Sequence, residues 1–188
     1  QTCALPIYNA YLVDTTAPTV QSVAITSATG AQNSTLNAGD AVFVTVSLSE
    51  AVNVTGSPQL ALNIGGSTVQ ASYDSGSGSS ALVFKYTIAS GQTDTNGISI
   101  AASSLSLNSG TILDLAGNAA TLTHSAVADN NAYLVDTTAP NDPVLSRGTG
   151  VDGGATSAEA TSAGGVVTLT AESGSSVSVL FTGTNSSV

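Results

Sequence analysis

The chain has 188 residues and a net charge of −10, yet only 7% of its residues are charged, against about 25% in an average soluble domain. With two basic residues in all it lacks the Lys, Arg and Glu that line helices, so a helix bundle or ordinary α/β enzyme is disfavoured. Two cations also cannot neutralise a phosphate backbone or an anionic bilayer, which excludes nucleic acid and membrane surfaces as partners.

Residues 1–7, QTCALPI, match the translated end of a common sequencing adaptor (CAG ACG TGT GCT CTT CCG ATC). They are set aside as a scar, and Cys3, the single cysteine, goes with them. The decapeptide NAYLVDTTAP follows at Asn9–Pro18 and recurs without change at Asn131–Pro140. A repeat of that length means tandem domains. Tyr-Leu-Val reads as a short strand, Asp-Thr-Thr as a polar junction, and Pro keeps the preceding Ala extended. Residues 8–14 are therefore expected to be the last strand of a preceding repeat, 15–136 a complete domain, and 137–188 the truncated start of a following one.

Within the complete domain the period is two. Val42, Val44, Val46 and Leu48 alternate with Ala41, Phe43, Thr45 and Ser47. Leu60, Leu62 and Ile64 follow, then Val69, Ala71 and Tyr73, then Leu82, Phe84, Tyr86 and Ile88. Such alternation predicts strands buried on one face, with a tight hairpin at Ile64-Gly65-Gly66-Ser67. Thr29–Asp40, Asp74–Ser80 and Ser90–Gly97 have loop composition. About seven strands with turns every 8–12 residues predict an all-β, immunoglobulin-like β-sandwich. Beyond Pro140, VVTLTA and SVSVLFTG predict two strands of half a sandwich. Its apolar face would be uncovered, so 141–188 is expected to be poorly ordered by itself.

The strings VDTTAPTVQSV, AGDAVFVTVSLSEAVNVTGSPQLALNIGG, YDSGSGSSALVFKYTIASGQTDTNGISI and ILDLAGNAATL resemble a bacterial Ig-like repeat. It is the SwmB-like type, named for a cyanobacterial swimming protein and found in very large adhesins of Gram-negative bacteria. The resemblance covers roughly 15–136; the segment after it is similar to a second Ig-like repeat over fewer residues. It implies an extracellular or cell-surface protein, often exported by a type I system, whose repeats form an extender stalk. It also implies calcium at domain junctions.

The residues point to calcium independently. An acidic chain with few cations to pair its carboxylates favours divalent ions, and Ca²⁺ takes six to eight oxygen ligands. In a sandwich, Asp14 comes in at the pole that holds Glu50 and the DLAGN loop, Asp114 to Asn118. Asp136 leaves at the other pole, near Asp40 and Asp94. The same residue types also make Asx turns without any ion, and no EF-hand loop is present.

Catalysis has little to stand on. His124, the one histidine, lies in a strand-like context and is expected to be an exposed or an edge residue. No G-x-S-x-G elbow occurs, zinc lacks His and Cys ligands, and the glycines at Gly148–Gly153 read as a loop rather than a dinucleotide motif. Sugar binding favours aromatic platforms, but there is no Trp. Tyr73 and Tyr86 fall on the core face, and Tyr11 and Tyr133 recur in the junction strand, which favours packing. The expectation is a non-catalytic structural repeat that contacts neighbouring repeats of its own chain. The alternatives are a ligand-binding Ig-like module and an accessory domain of an extracellular enzyme.

Overall fold

The computed structural model describes residues 12–147, 167–171 and 176–178. The chain divides into two compact units, Gln1–Thr138 and Ala139–Val188. Among the described residues there is no helix, and strands carry the architecture.

In the first unit the main strands are β1 (Val20–Thr29), β3 (Ala41–Thr55), β4 (Gln59–Ile64), β5 (Ser67–Ser75), β6 (Ser79–Thr87), β8 (Ile98–Ile100) and β11 (Val127–Asn130). Short strands fill the gaps: β2 (Thr35–Leu36), β7 (Thr93–Asp94), β9 (Leu105–Ser106), β10 (Thr111–Leu113) and β12 (Leu134–Asp136). The large sheet runs β1-β3-β6-β5-β4-β8-β11, every pair antiparallel. A smaller sheet, β2-β12-β7, joins β12 parallel to β2 and antiparallel to β7.

The period-two pattern has its physical counterpart in the core. Val42, Val44, Val46 and Leu48 of β3 are buried with Leu60, Leu62 and Ile64 of β4 and Leu82 and Phe84 of β6. Ile98, Ile100, Ile112 and Val135 complete one cluster, so strands from both ends of the sheet order share a single interior. Tyr73, Tyr86 and Tyr133 pack against that cluster half-buried, as their phenol groups require. The Tyr73 hydroxyl accepts the Ser77 N–H at 2.7 Å, and the Tyr86 hydroxyl donates to Gln92 at 3.2 Å.

The hairpin forms where the sequence predicts it, with Ile64 opposite Ser67. Gly65 and Gly66 sit at φ 55° and 82°, the left-handed pair that a two-residue turn demands. A Cβ on Gly65 would lie 1.9 Å from the Thr93 carbonyl oxygen, whereas one on Gly66 would meet nothing within 4 Å. In chemical denaturation Gly65→Ala is therefore expected to cost about 3 kcal/mol, and Gly66→Ala only about 1 kcal/mol.

The expected closing strand forms at the second decapeptide as β12. At the first, Leu12 and Val13 lie in no strand and are exposed. In the second unit β13 (Val144–Arg147) pairs antiparallel with β14 (Val167–Thr170), and both are exposed. Of the predicted SVSVLFTG strand, Ser176–Ser178 lie in no strand and are exposed; its remainder, the Gly148–Gly153 loop and most of the stretch expected to be poorly ordered lie outside the described residues.

Candidate metal centre

Three elements meet where the chain enters the domain. The first is the lead-in Asp14–Pro18, which ends with Pro18 buried. It is fastened to β3 by a reciprocal pair: the Thr19 N–H donates to Ser49 Oγ at 3.0 Å, and the Ser49 N–H donates to the Thr19 carbonyl at 2.9 Å. The Thr121 N–H closes the other side on the Pro18 carbonyl at 2.8 Å.

The second element is a break in β3. Its register with β6 shifts between Ser47 and Val52, after which Asn53–Thr55 pair with β10 instead. Glu50 lies in that break, half-buried. The third is the DLAGN loop, a turn from β10 to Ala119 in which the Asp114 N–H donates to the Asn118 carbonyl at 3.0 Å. Gly117 takes φ 95° to close it.

These elements bring ligand oxygens of Asp14, Glu50 and Asp114 within 4.8 Å of one another. The three differ in what already holds them. Asp14 is exposed and caps its own turn, accepting the Thr16 N–H at 2.9 Å. Asp114 is buried; its Oδ1 accepts the Ala116 and Asn118 N–H groups, each at 2.8 Å, and its Oδ2 accepts Asn118 Nδ2 at 2.8 Å. Burial works to raise its carboxyl. Hydrogen bonds from the Asn118 side chain and from the Asn118, Ala116 and Gly117 backbone outweigh it and hold the carboxyl below its ordinary 3.8. Glu50 is in the opposite state. Burial, then the negative charges of Asp14 and Asp114, push its carboxyl above its ordinary 4.5. Both neighbouring charges are of its own sign, the situation a cation relieves.

Of the predicted ligands, Asn118 enters the site differently. Its amide nitrogen faces the Asp14 and Thr16 carbonyls at 3.1 and 3.4 Å as well as Asp114. These contacts clamp the lead-in to the loop through Nδ2, and none of them uses Oδ1, the amide atom that binds cations. Thr19 and Ser49, which brace the lead-in, carry no sequence signal because hydroxyl residues are everywhere in this chain.

At the other pole Asp40 and Asp136 line one open surface groove of about 220 Å³, and Asp94 pairs with Val135 of β12. Asp40, Asp94 and Asp136 form no group of the kind made by Asp14, Glu50 and Asp114. Each is occupied with a turn. Asp40 accepts the Asn37 N–H at 2.7 Å and Asp136 the Thr138 N–H at 2.9 Å. Buried Asp94 accepts three N–H groups, those of Gly65, Asn96 and Gly97.

His124 is half-buried and outside the strands, not on a strand edge. Its Nε2 accepts the Ser104 N–H at 3.0 Å, which leaves the proton on Nδ1 to donate to the Ser125 carbonyl at 2.8 Å. Both nitrogens thus bind backbone. No protein-family model, curated protein or solved structure matches the chain.

Proposed function

We propose that the chain is a non-catalytic extender: one immunoglobulin-like domain with parts of its neighbours, from a stalk of a secreted or cell-surface adhesin. Taken in chain order as A to G, the seven main strands lie in space as A-B-E-D followed by C-F-G, the order of a seven-stranded immunoglobulin domain. The hairpin between β4 and β5 adds hydrogen bonds between the two groups.

One observation carries the reading. The chain comes in at Asp14, beside Glu50, and leaves at Asp136, beside Asp40. Those two landmarks are separated by roughly ten residues of β3, on the order of 30 Å at ~3.3 Å per residue. A domain that takes the chain in at one end and releases it at the other lengthens a rod. The donor set at the incoming end is made of hard oxygens, which suits Ca²⁺. Asp14, Glu50 and Asp114 would hold the ion, and it would tie the lead-in to the domain body.

Pulling the protein by handles on its two ends tests the extender. The expected trace has one cooperative event that lengthens the tether by on the order of 400 Å, from about 120 residues at ~3.5 Å each less the ~30 Å already spanned. Featureless extension at low force would remove the mechanical role.

A further inference from the structure

Over the residues described in both copies of the decapeptide, Leu12–Pro18 and Leu134–Pro140, the two take different structures. At the second, β12 fills a slot between β2 and β7. Leu134 stands opposite Thr35 and Val135 opposite Leu36 on one side, with Val135 opposite Asp94 on the other. Val135 is 1% exposed and belongs to the core cluster, against which Tyr133 packs. The Leu134 N–H donates to the Ser34 carbonyl at 2.9 Å and the Tyr133 carbonyl accepts the Ile98 N–H at 3.1 Å. Thr137 closes the seam: its Oγ1 accepts the Gly91 N–H and donates to the Gln92 carbonyl, both at 2.9 Å. At the first copy Leu12 is 97% exposed and Val13 85% exposed. Every side chain that the slot reads in Tyr133–Thr137 is present, in the same order, in Tyr11–Thr15.

We infer that the slot between β2 and β7 is a strand-receptor site, and that Leu12–Asp14 of a second copy of this chain is the strand it accepts in place of β12. The inference goes beyond the spacer reading and does not depend on it. Recognition has two parts. Backbone hydrogen bonds on both edges of the incoming strand supply affinity, as in other strand additions, and the buried valine supplies the register. The domain's own strand competes with the advantage of being tethered, equivalent to millimolar effective concentration, so exchange in the intact protein is slow and partial. Weakening only the tethered strand hands the slot to the incoming one. Donor and receptor are different surfaces, so the contact is heterologous and copies add head to tail unless the geometry closes a ring.

The test uses V135D, in which the tethered strand carries a charge that the slot cannot bury, while Leu12–Asp14 is intact. By light scattering across a concentration series V135D is expected to reach at least twice the 18.3 kDa of one chain. The double variant V13D/V135D is expected to stay monomeric, and added synthetic NAYLVDTTAP to return V135D to monomers. Oligomers that persist in V13D/V135D, or that the peptide does not disperse, would be aggregation and would overturn the inference, as would folded V135D that stays monomeric and ignores the peptide. Should V135D not fold, the wild-type chain decides. A fluorescent decapeptide is expected to incorporate saturably under mild denaturant, and one with aspartate at the position of Val135 is not. Equal incorporation of both, or of neither, overturns the proposal.

Discussion

In millimolar Ca²⁺ the melting temperature of the protein is expected to stand on the order of 10 °C above its value in excess EDTA. A ligand that binds only the native state adds RT ln(1 + [L]/Kd), about 2.7 kcal/mol at a hundredfold excess over Kd. For a domain near this size each kcal/mol moves the midpoint by roughly 4 °C. The pH dependence identifies the site. Without metal, Glu50 binds its proton more tightly in the folded chain than in the unfolded one, because its carboxyl is raised above 4.5. Its contribution therefore falls as pH rises through that raised value, and recovers on acidification towards 4.5. Asp114 runs the other way. Its carboxyl is held below 3.8, so its contribution is complete above that value and is lost as pH falls through the lowered one. For these two groups the metal-free optimum lies between 3.8, above which the Asp114 contribution is complete, and 4.5, above which the Glu50 contribution falls. Ca²⁺ held by Asp14, Glu50 and Asp114 would favour the ionised Glu50 and so move the optimum upwards. Glu50→Gln is expected to stabilise the EDTA form at neutral pH and to remove most of the Ca²⁺ response. Identical midpoints in EDTA and Ca²⁺ would leave the three carboxylates as a mere repulsive cluster.

What the sequence makes legible is whatever is decided locally or by period. Val42 to Leu48 alternate over one long strand, and the burial follows residue by residue. The Asp-Thr-Thr turn is local in the same sense: Asp14 and Asp136 make the same bond to the N–H two residues on, each at 2.9 Å, in two different surroundings. Leu-Val is not local. The same two residues open strand β12, with Val135 buried, where β2 and β7 flank them, and lie in no strand at Leu12–Val13. Strands of two or three residues, such as β8 and β10, are too short to show a period and form where the longer strands β4 and β3 offer them an edge, while β7 forms only against β12. Asp94 and Asp114 show where composition gives out. Both begin a turn that contains Gly and Asn, and both use one carboxylate oxygen to hold that turn. Only the surroundings of the other oxygen separate them. Asp94 reaches the β4–β5 hairpin, while Asp114 bonds Asn118 and faces Asp14 and Glu50.

That difference makes the second large effect. Asp94→Ala is expected to destabilise the domain by about 3 kcal/mol and to lower the midpoint by on the order of 10 °C. Most of the loss comes from the buried Gly97 N–H left without a partner, at roughly 1–3 kcal/mol, and less from Gly65 and Asn96, which are exposed and can turn to water. Three donors lose their acceptor: Gly97 N–H at 2.8 Å, Gly65 N–H at 2.9 Å and Asn96 N–H at 3.2 Å. The loss spreads because Asp94 also stands in β7, whose partner is the closing strand β12. Loosening β7 therefore loosens the seat of Val135. Asp94→Asn keeps an acceptor for the Asn96 and Gly97 bonds but turns an amide nitrogen towards Gly65, so about half the loss is expected. The decisive comparison is with metal. A turn-holding carboxylate costs the same amount in EDTA and in Ca²⁺, measured by chemical denaturation in each. A loss confined to the Ca²⁺ arm would instead make Asp94 a ligand, and would place a cation at the outgoing pole, beside Asp40 and Asp136.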